Sequence, residues 1–308
     1  MNNDSEVYLK MKKNYIYAFL TVMIWGTMAA VTKLLLSDIP SMQTLTVSSF
    51  FAFVFLLIVN IKNGLIKKLK MYSAKDYVIM AALGFLGLFM YSTFYYYGLA
   101  NLSSQEACIL NYLWPMMLVI CSCIILKEKF TFTKAIAMIC SFIGIVILSA
   151  GDPNIENDNA VAGIISCIVA AVCYGLFSAL NKKFDYNQNI SMMVIWLAVA
   201  VYSAPLGLLT EEWKPIEGTK WFGMIWLGVI IDAVAYLLWA LALKGVENTA
   251  KIANLAYLTP FLSLIISAVI LEEEINLRAI IALLFIVGGI LLQSFCDGIK
   301  TKKSLSDK

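Results

Sequence analysis

The chain has 308 residues, of which 61% are hydrophobic and 14% charged, with a mean hydropathy of +0.82 and a formal net charge of +3. This composition excludes an ordinary soluble domain and indicates an integral membrane protein. Histidine is absent, so the commonest metal ligand and the usual proton carrier near neutral pH are missing.

Uncharged stretches of about 20 residues, the length that crosses about 30 Å of hydrocarbon, recur along the whole chain. They predict ten spans, at 14–37, 40–61, 77–98, 103–126, 132–151, 160–181, 190–210, 220–243, 250–271 and 277–296. The predicted fold class is therefore all-α integral membrane. The seven cysteines all fall within these spans, and we expect reduced packing residues.

Lysine distribution predicts the orientation, because Lys and Arg in short loops stay on the cytoplasmic side. With the N-terminus inside, nineteen lysines lie in or beside inner segments, and three cations, Lys214, Lys220 and Arg278, lie in or beside outer ones. The outer loops are acidic instead, as at Glu272–Glu274. We expect a multi-pass protein of the plasma membrane with both termini in the cytoplasm.

An internal repeat divides the chain, since Asn111-Tyr-Leu-Trp-Pro115 recurs 145 residues later as Ala256-Tyr-Leu-Thr-Pro260. Trp25-Gly26 is likewise echoed by Tyr174-Gly175. Five spans per half invert the second half, which gives two inverted five-helix repeats around a central cavity. The predicted divisions are a cytoplasmic tail (1–13), the first repeat (14–151), an extracellular linker (152–159), the second repeat (160–296) and a cytoplasmic tail (297–308).

These motifs resemble a known family. The Trp25-Gly-Thr-Met run with a cation eight residues later, the Asn111 to Pro115 run, Ala235-Tyr236-Leu-Leu-Trp239 and Tyr257-Leu-Thr-Pro260 are similar to the EamA-type drug/metabolite transporter superfamily, and within it to the aromatic amino acid exporter (YddG-like) branch. The resemblance covers about residues 14 to 296 and implies a ten-helix bundle that exports amino acids and similar metabolites. Members of the branch carry a Trp in the sixth helix near Cys173, where this chain has Tyr174.

Proline predicts where the site lies. Pro115 has no N–H, so the carbonyl of Asn111 loses its helical partner, and Pro260 does the same to Ala256. Such freed groups are tolerated at membrane depth where they face a cavity. We therefore expect substrate contacts from Trp25, Tyr95, Asn111, Trp114, Tyr236, Trp239, Asn254 and Tyr257. The alternatives are a kink satisfied by a neighbouring Ser or Thr, and aromatic residues that only fill the core or face lipid.

Ionisable residues inside spans indicate function, because an unpaired charge is costly there. Asp232 is predicted as an ammonium partner or protonatable group, with a structural ion pair as the alternative. Lys33 either snorkels to the interface or turns inward to a substrate carboxylate. Glu106, at a helix start, is expected to cap that helix.

The predicted topology and the absence of catalytic motifs from the sequence both indicate a function. Without histidine, paired-carboxylate motifs or a Gly-rich phosphate loop, the sequence disfavours an enzyme, and no cofactor or metal is expected. We expect a secondary transporter that exports small amphipathic metabolites, foremost aromatic or other apolar amino acids, by alternating access. The alternatives are another cargo (a purine, a nucleotide sugar or an organic cation) and, in a different class, a channel or membrane scaffold.

The expected partners are a small-molecule substrate and the lipid bilayer, and the protein is expected to be a monomer or homodimer. The lysine-rich loop from Lys62 to Lys75 is explained by topology and anionic lipid, so no nucleic acid is expected.

Overall fold

A computed structural model describes residues 3–125, 158–184, 186–243, 254–285, 287–289 and 291–292, together with scattered positions between 132 and 147. All regular secondary structure in these residues is helical. The α-helices are α1 Asn3–Trp25, α2 Met28–Leu36, α3 Ser41–Lys62, α4 Ala74–Gly84, α5 Met90–Asn101, α6 Ser104–Asn111, α7 Trp114–Ile125, α8 Asp158–Lys183, α9 Gln188–Thr210, α10 Lys220–Ile225, α11 Tyr236–Leu243 and α12 Thr259–Ile270.

Most predicted spans correspond to observed helices. Within the described residues, seven helical stretches are long and apolar enough to cross a membrane: Lys13–Leu36, Ser41–Lys62, Ala74–Asn101, Ser104–Ile125, Asn159–Lys183, Gln188–Thr210 and Lys220–Leu243. Shorter apolar helices cover Thr259–Ile270 and Leu277–Gly289. The predicted span 132–151 and the linker 152–159 lie largely outside the described residues. The helical membrane fold is thus confirmed, whereas the number of ten crossings stays a prediction.

Several spans are interrupted rather than continuous. The first is divided between α1 and α2 at Gly26 and Thr27, and the fourth between α6 and α7 at Tyr112 and Leu113. The ninth begins with the 3-10 turn Asn254–Leu258 and continues as α12. The hydrogen bonds become irregular at the first two interruptions, where Thr27 donates to the Ile24 carbonyl and Leu113 to the Leu110 carbonyl, each three residues earlier.

The third and eighth spans instead contain π-helical segments, Phe85–Phe89 and Trp226–Ala235. Adding the 145-residue offset of the repeat to the first segment gives residues 230–234, which lie inside the second segment. The two repeats therefore share a distortion that is frequent at functional sites.

Two glycine contacts also reproduce the repeat in three dimensions. A Cβ on Gly26 would lie 2.9 Å from the Leu262 Cβ, and a Cβ on Gly175 would lie 2.6 Å from the Met117 Cβ. Gly26 and Gly175, which lie 149 residues apart, occupy equivalent places in the two repeats, and the 145-residue offset of the proline motif relates Met117 to Leu262. The first and sixth spans therefore approach the ninth and fourth through matching small residues, as close helix packing in membranes requires.

Hydrogen bonds join the two repeats at one end of the bundle, which we call the outer end because the lysine bias predicts it to be outside. Glu211 accepts from the backbone N–H of Met42 and the Ser41 hydroxyl, both at 3.0 Å. Lys220 pairs with Asp38, and its charge and hydrogen bond hold the pKa of this exposed carboxyl below its ordinary value.

The opposite end joins a different set of residues. The Asn60 side-chain amide donates to the Asn189 carbonyl at 3.0 Å, and the Tyr186 hydroxyl donates to Asp76 at 3.0 Å. Segments predicted on one side of the membrane thus meet at one end of the structure.

We predict that Gly175→Ala destabilises the protein by about 1–3 kcal/mol, because the new methyl group would lie 2.7 Å from the Leu118 backbone nitrogen, which cannot easily move. The matched control is Gly288→Ala, where a Cβ meets nothing within 4 Å. Unfolding in mixed detergent micelles measures both free energies. Equal stability of the two variants would contradict the close packing at Gly175.

Candidate functional site

Five aromatic side chains meet at the centre of the bundle, and we call them the aromatic cage: Trp25, Trp114, Tyr174, Tyr236 and Trp239. The Trp25 ring lies 5.3–6.3 Å from the other four rings, measured between centroids. Most of these pairs are edge-to-face, the arrangement that aromatic quadrupoles favour. All five side chains are buried. They therefore neither face lipid nor lie in an interfacial belt.

Local sequence explains how the rings converge. Trp25 is the last residue of α1, directly before the interruption at Gly26. Trp114 begins α7, directly after the interruption that precedes Pro115. Tyr174 lies within α8 beside Gly175, and the missing side chain of this glycine allows α7 to pack closely against α8. The breaks and the close glycine contact thus bring the rings together from four different spans.

The cage borders a small cavity with about 30 Å³ of space available to the centre of a water molecule. Since about 10–15 Å³ of this measure accommodates one water, the cavity has room for about two. Its wall includes Tyr91, Tyr95, Asn111, Tyr112 and Thr259 in addition to cage residues. An aromatic amino acid does not fit here until the cage opens.

Polar groups without partners point to what the site binds. The Asn111 side-chain amide donates to the Tyr91 hydroxyl at 3.1 Å, but its own oxygen has no hydrogen-bond partner within the described part of the chain. The indole N–H groups of Trp25 and Trp239 likewise have no partner there, whereas the Thr259 hydroxyl faces the Tyr112 hydroxyl. Buried polar groups normally find partners, so a set of unpaired groups at one place indicates a ligand or water site.

The structure gathers most of the predicted site residues. Five line the cavity: Trp25, Tyr95, Asn111, Trp114 and Tyr236. Trp239 lies behind them, with its ring 5.9 Å from that of Trp114. Pro115 and Pro260 each occupy the second position of the helix that follows a break, α7 and α12. Asn254 and Tyr257 belong to the 3-10 turn, but their side chains lie outside the described residues.

Sequence reasoning missed three aromatic lining residues, Tyr91, Tyr112 and Tyr174. Tyr174 carried a usable signal, because it is the repeat counterpart of Trp25, and the two rings face each other at 6.3 Å. Tyr91 lies 5.7 Å from Tyr95 in a stacked pair and 5.1 Å from Tyr174. Tyr91 and Tyr95 are four residues apart on one face of α5, but this spacing does not tell which neighbouring helix that face meets.

Lys33 lies away from the cage, at the outer end. Its ammonium group donates to the Leu102 carbonyl and lies 3.7 Å from the Glu273 carboxylate. Glu273 in turn accepts from the Ser104 backbone N–H at 2.9 Å and the Ser104 hydroxyl at 2.8 Å. We call these contacts among Lys33, Glu273 and Ser104 the outer latch. Because it joins α2 of the first repeat to the loop after α12 of the second, it closes this end of the bundle.

The predicted capping role of Glu106 is confirmed at the same helix start. Its carboxylate accepts from the Ser103 backbone N–H at 3.1 Å, and the Ser103 hydroxyl accepts from the Glu106 N–H at 3.1 Å. This reciprocal capping box fixes the start of α6. The outer latch therefore docks on a helix end that is already ordered.

Asp232 lies within the second π-helical segment, one layer behind the cavity wall. The carboxyl group is buried, with 2% of the residue exposed, and faces the Ser48 hydroxyl of α3. It is not among the side chains that line the cavity. Any influence of Asp232 on a ligand therefore passes through the tyrosines between them.

Comparison with known proteins identifies relatives along the whole chain. The EamA-like transporter family matches residues 12–150 and 161–295, one match for each repeat. An uncharacterized transporter of Archaeoglobus fulgidus is 26% identical over 276 residues, covering 87% of this chain and 94% of its own. The transporter YvbV of Bacillus subtilis, also uncharacterized, is 24% identical, with 92% of each chain covered.

One relative has a described cargo. The aromatic amino acid exporter YddG of Ancylobacter novellus is 26% identical over 209 residues, covering 67% of this chain and 72% of its own. A solved crystal structure superposes with a TM-score of 0.71 at 21% identity, covering 92% of this chain and 97% of that one. The structural likeness supports the fold alone.

We predict that a cysteine placed at 111 or 114 becomes accessible from water during transport. In a background without the native cysteines, a membrane-permeant maleimide is expected to modify Asn111→Cys and Trp114→Cys. The control is Ile109→Cys, which is fully buried on α6 but does not line the cavity. Modification is followed by mass shift. Equal resistance of all three positions would contradict the lining role.

Proposed function

Since the chain belongs to the EamA-like transporter family, whose members are transporters rather than enzymes, we propose that it exports small amphipathic metabolites, foremost aromatic or other apolar amino acids, by alternating access. The observation that carries this proposal is the aromatic cage, which borders a small cavity lined by unpaired polar groups between the two repeats. The relative that exports aromatic amino acids supports the choice of cargo.

The chemistry of the cavity wall suits a zwitterion with an apolar side chain. The unpaired Asn111 oxygen accepts hydrogen bonds, as a substrate ammonium requires. The indole N–H of Trp25, which lines the cavity, only donates, as a carboxylate requires. The surrounding rings then enclose the apolar side chain, with large contact areas and edge-to-face contacts.

Other cargoes suit this wall less well. A nucleotide sugar carries phosphates that call for Lys or Arg, and no lysine or arginine lines the described cavity. An organic cation calls for a carboxylate in the wall, whereas Asp232 lies behind it. In a scaffold that binds no small molecule, unpaired polar groups at the centre would cost stability without serving a function. A purine remains the runner-up, because it also combines a ring with donors and acceptors.

The small size of the cavity implies a conformational cycle. Room for about two waters is too little for an amino acid, so the conformation described here is one from which substrate is excluded. The outer latch accounts for closure at the outer end. We propose that the repeats rock about the aromatic cage, so that opening toward the outside requires Glu273 to release Ser104.

We predict that Trp25→Ala reduces transport about tenfold, because it removes the ring that touches the four other cage rings, and edge-to-face pairs contribute about 0.5–1.5 kcal/mol each. Counterflow of tritiated tryptophan, tyrosine and phenylalanine in proteoliposomes measures the effect. The matched control is Trp221→Ala, on the exposed side of α10. The cargo assignment fails if the wild-type protein exchanges none of the three amino acids.

We predict that Glu273→Gln favours outward opening. Hydrogen bonds to a charged group contribute about 1.5–3 kcal/mol, so weakening the outer latch should raise the open population about tenfold. The probe is a single cysteine at Met28, which lines the cavity, treated from the outside with a membrane-impermeant thiol reagent. The adjacent Glu272→Gln is the control. Unchanged labelling rates in Glu273→Gln would show that the latch does not close the outer end.

A further inference from the structure

Asp232 is a buried acid, and no basic side chain in the described part of the chain pairs with it. The residue is 2% exposed, and its Oδ2 atom has no hydrogen-bond partner among the residues that the structure describes. The Ser48 hydroxyl faces the carboxyl group from α3. A structural ion pair, the alternative that the sequence leaves open, is therefore not found here. An ionised carboxylate in the hydrocarbon region needs a cation or a proton to neutralise it.

The groups packed around Asp232 supply hydroxyls rather than charges. The titratable ones that face it are Tyr91 and Tyr96 of α5 and Tyr236 of α11. In the described part of the chain, no lysine or arginine faces it. The Tyr96 hydroxyl is itself buried and faces the same Ser48 hydroxyl. Since no cationic side chain described there neutralises the carboxylate, binding of a proton removes the buried charge.

Two tyrosines connect Asp232 to the cavity. The hydroxyl groups of Tyr236 and Tyr91 face each other, and the Tyr91 hydroxyl accepts from the Asn111 amide at 3.1 Å. All three side chains line the cavity. A change of charge on Asp232 therefore changes the electrostatic potential where the substrate ammonium is proposed to lie, because the surrounding medium screens charges weakly.

We propose that Asp232 binds the proton that is exchanged for the exported substrate. This inference rests on the proposed function, because it names the coupling ion of the same site. When a substrate ammonium enters the cavity, the O–H bond of the Asp232 carboxyl breaks, the proton leaves to water, and the ammonium favours the carboxylate that remains. When the substrate departs outside, an external proton forms the O–H bond again. By linkage, each cation lowers the affinity for the other.

Infrared spectroscopy tests proton binding independently of the cargo. Purified wild-type protein at pH 7 is expected to show the carbonyl band of a protonated carboxylic acid, and Asp232→Asn is expected to lack it. The exposed carboxyl of Asp38, which pairs with Lys220, provides the control variant Asp38→Asn, in which the band should persist. Absence of the band from the wild type, or its persistence in Asp232→Asn, would overturn the proposal.

Proteoliposomes test coupling, with the membrane potential held at zero by valinomycin and equal potassium. Vesicles one pH unit more acidic inside are expected to accumulate tritiated tryptophan, tyrosine or phenylalanine about tenfold, the limit for one proton per substrate. In Asp232→Asn the ratio of accumulation with and without the gradient should fall to one. Asp232→Glu, which keeps a carboxyl group, should retain a ratio above one.

The outcomes separate this inference from the proposed function. Counterflow without any effect of the pH gradient would preserve the cargo and overturn the proton site. Accumulation driven by a sodium gradient in place of a pH gradient would do the same. If none of the three amino acids is exchanged, the proposed cargo fails, and the infrared band alone decides whether Asp232 holds a proton.

Discussion

Every polar group in the hydrocarbon region must find its partner inside the protein, because lipid offers none. Long helices meet this constraint along most of the described chain. At the aromatic cage, the fourth span breaks before Pro115, and the Asn111 oxygen and the Trp25 and Trp239 N–H groups have no partner among the described residues. Since each such group is costly at membrane depth, we propose that a polar ligand satisfies those that border the cavity for part of the transport cycle.

Small residues set the geometry of that centre. Gly26 allows the first span to approach the ninth, and Gly175 allows the sixth to approach the fourth, each against a residue related by the repeat. The residue before each glycine, Trp25 or Tyr174, then projects an aromatic ring into the space between the repeats, with 6.3 Å between the two centroids. The sequence repeat thus places two equivalent aromatic rings next to each other, in an edge-to-face pair. A transporter that alternates between two related conformations is expected to place its substrate on such a symmetry element.

Much of this could be predicted from the sequence, because membrane insertion depends on local hydrophobicity and the breaks depend on single residues such as Pro115. The spans and the lining positions Trp25, Asn111 and Trp114 required only periodicity and the internal repeat. The remaining site contacts could not be predicted, because they depend on which face each helix turns toward its neighbours. Tyr174 was missed because helical spacing does not tell which neighbour a face meets, and Lys33 kept two interpretations because its reach to Leu102 and Glu273 crosses between segments far apart in sequence.

The contacts between the repeats also indicate which helices stay together and which can move during the transport cycle. Helices α3 and α9 are joined at both ends, by Glu211 on the Met42 N–H and by Asn60 on the Asn189 carbonyl, both at 3.0 Å, so this seam resists rocking in either direction. The outer latch instead holds α6, which belongs to an interrupted span and carries Asn111 at its end. Helix interruptions absorb changes of backbone angle that a continuous helix resists. Under the proposed mechanism, movement therefore falls on the broken spans around the aromatic cage, while the α3–α9 seam keeps the two repeats together.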